Sequence, residues 1–247
     1  MLVNYGLKNE GCEKIAERLK NKGFRMPLGI NVGKTNSPKT VALKAGISDY
    51  AKAYQAFANI GSYSTINISC PNAFGGEPFI IAKNLDKLLE RLGEILSKKP
   101  VFIKISPDLS KKQVDGILRV AAKHKVAGFI CSNLTRKRNN AGIFDKLDST
   151  SGGISGKPTE ELSNECIRHI YSKTRERFVV IGCGGIFSAE DAYRKIRLGA
   201  SLIQLLTGAV FEGPQLISGI NLGMVKLIEK EGFSSISEAV GKDCNKC

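Results

Sequence analysis

The 247-residue sequence predicts an α/β fold built from repeated strand–helix units, and two observations support that prediction. Short, nearly continuous apolar runs rich in β-branched residues alternate with longer segments whose apolar residues recur every three or four positions. Neither a linker nor a shift in composition divides the chain. We therefore expect a single domain over residues 1–247.

Six of the apolar runs predict buried parallel strands. Each run is bounded by glycine, proline or polar residues, as the ends of such strands usually are. Their order along the chain, with a helical segment between successive runs, is typical of a parallel sheet. The predicted strands are Pro27–Val32, Tyr63–Ser69, Val101–Ser106, Gly128–Asn133, Phe178–Cys183 and Ser201–Leu206.

The segments between these strands predict amphipathic helices. Six apolar residues between Leu85 and Leu96 repeat at helical spacing and form one stripe. Ser110 and Gln113 have the spacing of a capping box at a helix start. Ser188 precedes two acidic residues, as at a helix N-terminus, and we expect that helix to stop at Gly199.

Strict strand–helix alternation leaves two architectures, a closed barrel or an open doubly wound sheet. The glycine fingerprint that would favour the open sheet does not follow the first strand. Glycine-containing segments, residues 182–185 and 206–208, instead follow the last two strands, where barrels usually bind phosphate. We therefore predict a fold of the (βα)8 TIM-barrel type.

Composition excludes several classes of function. The chain has 37 Lys and Arg against 23 Asp and Glu, but its aromatic content is only 7% and its lysines lie mostly on polar helix faces, so we expect no nucleic-acid partner. The sequence shows no secretory signal and no apolar run of the ~18 residues that a membrane span needs. Its seven scattered cysteines suggest a reducing compartment. Cys244 and Cys247 form half of a zinc motif without a second half, so we expect no metal.

The segment Asn67–Asn72 (NISCPN) concentrates polar chemistry at the end of the second predicted strand. Two amides, a hydroxyl and a thiol lie within six residues, and a glycine-containing loop follows. Amide side chains can both donate to and accept from a polar ligand. A buried cysteine at a strand end is the alternative interpretation of the same residues.

Five motifs in order resemble the dihydroorotate dehydrogenase family. They are NISCPN (67–72), KISPDLS (104–110), SGGISGKP (151–158), IGCGGI (181–186) and GASLIQLLTG (199–208). The resemblance implies an FMN-dependent TIM barrel that oxidises dihydroorotate to orotate in de novo pyrimidine biosynthesis. It implies that Cys70 is the catalytic base. The substrate-binding residues it implies are Asn67, Ser69, Asn72, Asn133 and Asn4. The FMN-binding residues it implies are Asn31, Asn67, Lys104, Ser132, Gly156, Gly184, Gly185, Leu206 and Thr207.

The sequence departs from the family pattern in three respects. Its six strands match the third to eighth of the family, so we expect an incomplete barrel that is truncated at its N-terminus relative to the family. Val3 stands where the family has asparagine, and Asn4 comes one residue late. A cysteine base is typical of class 1, whereas the rest of the chain resembles class 2.

Several points therefore stay open at the level of sequence. The electron acceptor is quinone, fumarate or NAD, and the sequence is compatible with a homo-oligomer. We expect a cytoplasmic protein, with peripheral binding to the inner face of the membrane as the alternative. The alternative functions are a non-catalytic or partly active barrel fragment and an FMN oxidoreductase similar to dihydropyrimidine dehydrogenase, which usually has histidine where this chain has Asn72.

Overall fold

A computed structural model describes residues 1–140, 142–144, 146–147 and 151–244. Strands and helices alternate through these residues, which confirms the predicted α/β class. The chain divides into two compact units, and we describe each by itself. The N-terminal unit comprises Asn4–Ile105 and Leu109–Ala127. The C-terminal unit comprises Met1–Val3, Ser106–Asp108 and Gly128–Cys247. The single domain over residues 1–247 stays a prediction.

The N-terminal unit contains a parallel sheet of three strands. Its strands are β2 (Gly29–Gly33), β3 (Tyr63–Asn67) and β4 (Val101–Ile105), and β3 pairs with both of the others. Its helices are α1 (Cys12–Leu19), α2 (Leu43–Ala56), α3 (Ala82–Gly93) and α4 (Lys111–Lys123).

The core of the N-terminal unit comes from the apolar patterns that predict it. Ile66 of β3, Ile103 of β4 and Leu85 at the start of the α3 stripe are fully buried. The stripe ends earlier than its spacing predicts, because α3 stops at Gly93 and Leu96 is 92% exposed. The Ser110 capping box is confirmed, since its side chain accepts from the Gln113 backbone N–H at the start of α4.

The C-terminal unit contains three parallel strands and a small antiparallel pair. β5 (Gly128–Cys131), β7 (Val179–Cys183) and β8 (Leu202–Gln204) are parallel, whereas β1 (Leu2–Val3) pairs antiparallel with β6 (Gly153–Ile154). Its helices are α5 (Glu160–Thr174), α6 (Ala189–Arg197), α7 (Thr207–Glu212), α8 (Gln215–Lys230) and α9 (Ile236–Ala239).

All six predicted strands are present, with ends that differ by at most two residues from the predicted bounds. Ser188 caps α6 by accepting from the Asp191 backbone N–H at 3.1 Å, and the chain leaves the helix before Gly199, whose φ is +120°. The two-residue strands β1 and β6 were not predicted, because so short a segment carries no periodic pattern. None of the helices described here is both long and apolar enough to cross a lipid bilayer.

Candidate functional site

One face of the sheet in the N-terminal unit collects three of the predicted site residues. Asn67 pairs in register with Lys104 on one side and with Gly33 on the other. Asn31 lies two residues before Gly33 on the same strand. Since side chains alternate between the faces of a strand, Asn31, Asn67 and Lys104 lie on the same face. The sheet therefore presents two amides and one ammonium side by side.

Asn67 is fixed at the end of β3 by its neighbours. Its side-chain Oδ1 accepts from the backbone N–H of Ser69 at 3.2 Å and from the Ser69 hydroxyl at 3.0 Å. Its backbone carbonyl accepts from the hydroxyl of Tyr50 at 2.7 Å. For the Asn67 side-chain nitrogen, the described residues supply no acceptor. This orients the amide with a donor available for a ligand.

Cys70 begins the loop that leaves β3. Ser69 before it is fully buried, whereas Cys70 itself is half-buried, as is Asn72. The backbone N–H of Ala73 donates to the Cys70 carbonyl at 3.2 Å and closes a turn. The thiol is thus placed at the carboxyl end of the central strand of this sheet, next to Asn67.

Lys34 is a residue at this site that sequence reasoning missed. It follows Gly33 at the end of β2 and is only 4% exposed. Its Nζ donates to the carbonyl of Phe74 in the Cys70 loop at 2.6 Å and approaches the Thr40 hydroxyl at 3.4 Å. A lysine within a polar, threonine-containing segment predicts a solvated loop, so only the structure shows its burial.

Ser132 and Asn133 lie at the end of β5 in the C-terminal unit. The Ser132 backbone N–H donates to the Cys183 carbonyl at 2.7 Å. The Ser132 hydroxyl is buried, and no hydrogen-bond partner for it is found within the described ranges. Asn133 is half-buried, and its Oδ1 accepts from the backbone N–H of Leu134 at 2.9 Å. A buried hydroxyl without a partner is costly, which points to a ligand at this position.

The predicted phosphate residues meet around the start of α5. The Thr159 hydroxyl donates to the Gly156 carbonyl at 2.8 Å. A Cβ added to Gly184 would lie 2.8 Å from that Thr159 hydroxyl, and one added to Gly156 would lie 3.2 Å from Thr207. Gly185 has φ +73°, and a Cβ there would lie 2.4 Å from the Glu160 Cβ. Gly184 and Gly185 have no room for a side chain because they lie close to the start of α5, whereas Gly156 lies close to Thr207.

A cavity of about 380 Å³ opens beside Gly156, within the C-terminal unit. Ser155, Gly156 and Thr207 are part of its wall, and the Thr207 hydroxyl donates to the Ser155 hydroxyl at 3.0 Å. The rest of the wall is mainly apolar and includes Phe187 and Phe211. Leu206, which precedes α7, is 71% exposed.

Two remaining sequence predictions are located as follows. Asn4 is exposed in the segment between β1 and α1. Cys244 is buried, whereas Cys247 lies outside the described residues. The described residues contain no group of three His, Cys, Asp or Glu side chains placed to bind a metal.

Comparison with known proteins gives consistent results. The family model described as dihydroorotate dehydrogenase matches residues 1–228. The "Dihydroorotate dehydrogenase (quinone)" of Crocosphaera subtropica is 39% identical, over 99% of this chain and 66% of its own length. That of Natronomonas pharaonis is 37% identical, over 98% of this chain and 67% of its own. The chain thus spans about two thirds of the length of the curated relatives that it matches.

Solved structures agree on the fold. The ligand-free type DHODH from Eimeria tenella superposes with a TM-score of 0.88 and 24% identity, covering 98% of this chain and 73% of that chain. At this identity the likeness concerns the fold alone. It confirms the TIM-barrel type predicted from the strand–helix alternation.

Proposed function

Because the chain belongs to the dihydroorotate dehydrogenase family, we propose that it contributes the active site for the oxidation of dihydroorotate to orotate, a step of de novo pyrimidine biosynthesis. The cofactor in this proposal is FMN. The observation that carries the proposal is the shared face of β2, β3 and β4, where Asn31, Asn67 and Lys104 lie beside the loop that begins at Cys70.

The residues present fit FMN. Lys104 offers a cation on the sheet face, and a fixed cation stabilises negative charge that develops on a flavin during reduction. The buried Ser132 hydroxyl has no partner in the described part of the chain, as expected of a group that contacts a ligand. The bare backbone around Gly156 and Gly184 suits a phosphate, which approaches glycine amides closely. In this proposal Lys104 and Ser132 would contact the flavin ring, and the backbone of Gly156 and Gly184 would bind the phosphate.

The reaction breaks two C–H bonds of dihydroorotate and forms the double bond between carbons 5 and 6. When bound, FMN supplies the acceptor for the hydride that leaves carbon 6. The Cys70 thiolate takes the proton from carbon 5, so an S–H bond forms as that C–H bond breaks. An unperturbed thiol has a pKa of about 8.5, so the surroundings of Cys70 must favour the thiolate for this role.

The amides bind the substrate in this proposal. Asn67 presents a donor beside Cys70, and Asn72 lies two residues further along the loop. Amides can pair with both the carbonyl and N–H groups of a pyrimidine ring and with its carboxylate. Ser69 acts by orienting Asn67. Asn133 and Asn4 remain further candidates for substrate contact.

We take quinone as the electron acceptor, because the relatives at 35–39% identity carry that word in their names. Fumarate and NAD are the alternatives that an acceptor assay would distinguish. None of the six cysteines that the structure describes forms a disulfide, which supports a cytoplasmic location. Binding to the inner face of the membrane, where quinone resides, and a homo-oligomeric state are further proposals to test.

The deciding experiment is anaerobic reduction of the flavin-loaded protein by dihydroorotate. The loss of flavin absorbance (bleaching) measures the reduction. We expect bleaching in the native chain, none in Cys70→Ala, and weak bleaching in Cys70→Ser. Cys12→Ala is the matched control, because Cys12 lies at the start of α1 in the same unit, and it should bleach normally.

Three outcomes would contradict the proposal. Unchanged bleaching in Cys70→Ala would remove Cys70 as the base. Faster bleaching by dihydrouracil, which lacks the carboxylate, than by dihydroorotate would favour the dihydropyrimidine dehydrogenase-like alternative. A chain that binds FMN but is reduced by neither compound would be the non-catalytic fragment.

A further inference from the structure

A buried ammonium lies beside the thiol that the proposed reaction uses as its base. Lys34 and Cys70 line the same small cleft, together with Tyr50 and Asn67. Lys34 comes from the end of β2 and Cys70 from the end of β3, and these strands are neighbours. Lys34 is 4% exposed, so water screens its charge weakly.

The charges around Lys34 favour its cationic form against the effect of burial. Burial lowers the pKa of the Lys34 ammonium, whereas the charges of Asp49 and Cys70 raise it. Electrostatic coupling between two titratable groups is reciprocal, so a cation whose pKa is raised by a thiolate stabilises that thiolate equally.

The other titratable groups that face this cleft come from α2 and from the Cys70 loop. The Asp49 carboxylate accepts from the backbone N–H and the hydroxyl of Thr35, both at 2.7 Å. Burial raises the pKa of the Tyr50 phenol far above its ordinary value, so it stays neutral. Glu77 also lines the cleft and adds negative charge. Among the described residues that face this cleft, Lys34 is therefore the cation, and the other titratable groups are acidic.

Lys34 also bonds to the loop that carries the thiol. Its Nζ donates to the Phe74 carbonyl, while Asn36 Oδ1 accepts from the Phe74 backbone N–H at 2.6 Å. Phe74 is four residues after Cys70, so both bonds fix the loop that carries the thiol. One amine thus ties the loop to β2 and places positive charge near its first residue.

We propose that Lys34 is a positioning residue that holds the Cys70 loop and stabilises the thiolate of Cys70, and this inference rests on the proposed role of Cys70 as base. Lys34 touches neither reacting carbon in this proposal and acts through Cys70. Before turnover it favours the deprotonated sulfur. The proton that Cys70 then receives from carbon 5 must leave before the next cycle.

The test is the pH dependence of Cys70 alkylation by iodoacetamide, measured by mass spectrometry of the peptide that contains Cys70. Only the thiolate reacts, so the midpoint of the rate profile reports the thiol's ionisation. In Lys34→Met we expect this midpoint to rise by about one pH unit or more, the effect of losing a nearby opposite charge. In Lys34→Arg, which keeps the charge, we expect most of the native midpoint to remain.

Lys99→Met is the matched control for a merely structural role. Lys99 is also a partly buried lysine of this unit, and its Nζ donates to the carbonyls of Phe57 and Ile60, both at 2.5 Å. Burial lowers the pKa of Lys99 too, with no contribution from Cys70. Removing it should cost stability without moving the Cys70 midpoint.

The outcomes separate this inference from the proposed function, since alkylation needs neither FMN nor dihydroorotate. An unchanged midpoint in folded Lys34→Met, or an equal rise in Lys99→Met, would overturn the role of Lys34. Should Lys34→Met fail to fold, a native Cys70 midpoint no lower than that of Cys12 would overturn it instead. A raised midpoint in a chain that dihydroorotate cannot reduce would uphold the effect on Cys70 while contradicting the proposed function.

Discussion

Lys195 on α6 is fully buried, and its titration makes a quantitative prediction for stability. Its Nζ donates to the Ser163 hydroxyl at 3.1 Å and to Asn164 Oδ1 at 2.8 Å. The Ser163 hydroxyl in turn donates to the carbonyl of Cys131 at 2.9 Å. Within the described part of the chain, the hydrogen-bond partners of Lys195 include no carboxylate. The ammonium therefore has neutral groups as its hydrogen-bond partners.

The size of the effect follows from the pKa of Lys195. Burial lowers it from 10.5 to about 8, with nearby carboxylates opposing the decrease. One pKa unit corresponds to about 1.4 kcal/mol, so burying the charged form costs roughly 3 kcal/mol below about pH 8. Between the folded and unfolded pKa values the unfolded state binds more protons, so the free energy of unfolding rises with pH in this range.

Urea unfolding of the native chain and Lys195→Met, compared across pH, tests this reasoning. Methionine lacks the titration, and its loss of the bond to Asn164 is independent of pH. The native chain should gain about 2.5 kcal/mol relative to Lys195→Met between about pH 7 and about pH 10. The contributions of the other titrating groups are the same in both proteins, so they cancel when the two free energies of unfolding are subtracted. Parallel pH profiles for the two proteins would refute the burial of a charged lysine.

Three further predictions concern the glycines, a helix cap and the flavin face. Gly185→Ala should lower the free energy of unfolding by about 2 kcal/mol or more, because Gly185 has a positive φ and an added Cβ would overlap α5. Gly219 on α8 has open space around it, so Gly219→Ala should raise the free energy of unfolding by roughly 0.5–1 kcal/mol. Urea unfolding midpoints measure both effects. Ser110→Ala should cost about 1 kcal/mol through loss of the α4 cap, measured in the same way, and an unchanged midpoint would contradict the capping role. Lys104→Met should weaken FMN binding about tenfold or more, as measured by quenching of flavin fluorescence; equal affinity would remove Lys104 from the flavin site.

The sequence predicts the strands well because each strand coincides with a short, nearly continuous apolar run. β4 and β7 have buried apolar residues along most of their length, so their pattern needs no tertiary information. β1 and β6 have two residues each and exist only because they pair with one another. Long-range pairing of this kind leaves no local pattern in the chain.

The site residues likewise include some that the sequence predicts and some that it does not. Asn67 is the last residue of β3 and Cys70 comes three residues later, both in a dense polar motif, so their place at a strand end is predictable. Lys34 and Lys195 are buried lysines, and sequence patterns assign lysine to the surface. Their burial depends on partners far away in the sequence, such as the Phe74 carbonyl and Asn164. Only the folded chain identifies those partners.

The most direct test of the proposed chemistry is the fate of the proton on carbon 5 of dihydroorotate. The rate of flavin reduction should be measured in the loaded native protein with ordinary dihydroorotate and with dihydroorotate deuterated at carbon 5. If Cys70 removes that proton as the hydride leaves carbon 6, deuterium should slow flavin reduction, and an alkylated Cys70 should abolish it. Equal rates with both substrates, together with full reduction of the alkylated protein, would contradict the assignment of Cys70 as the base.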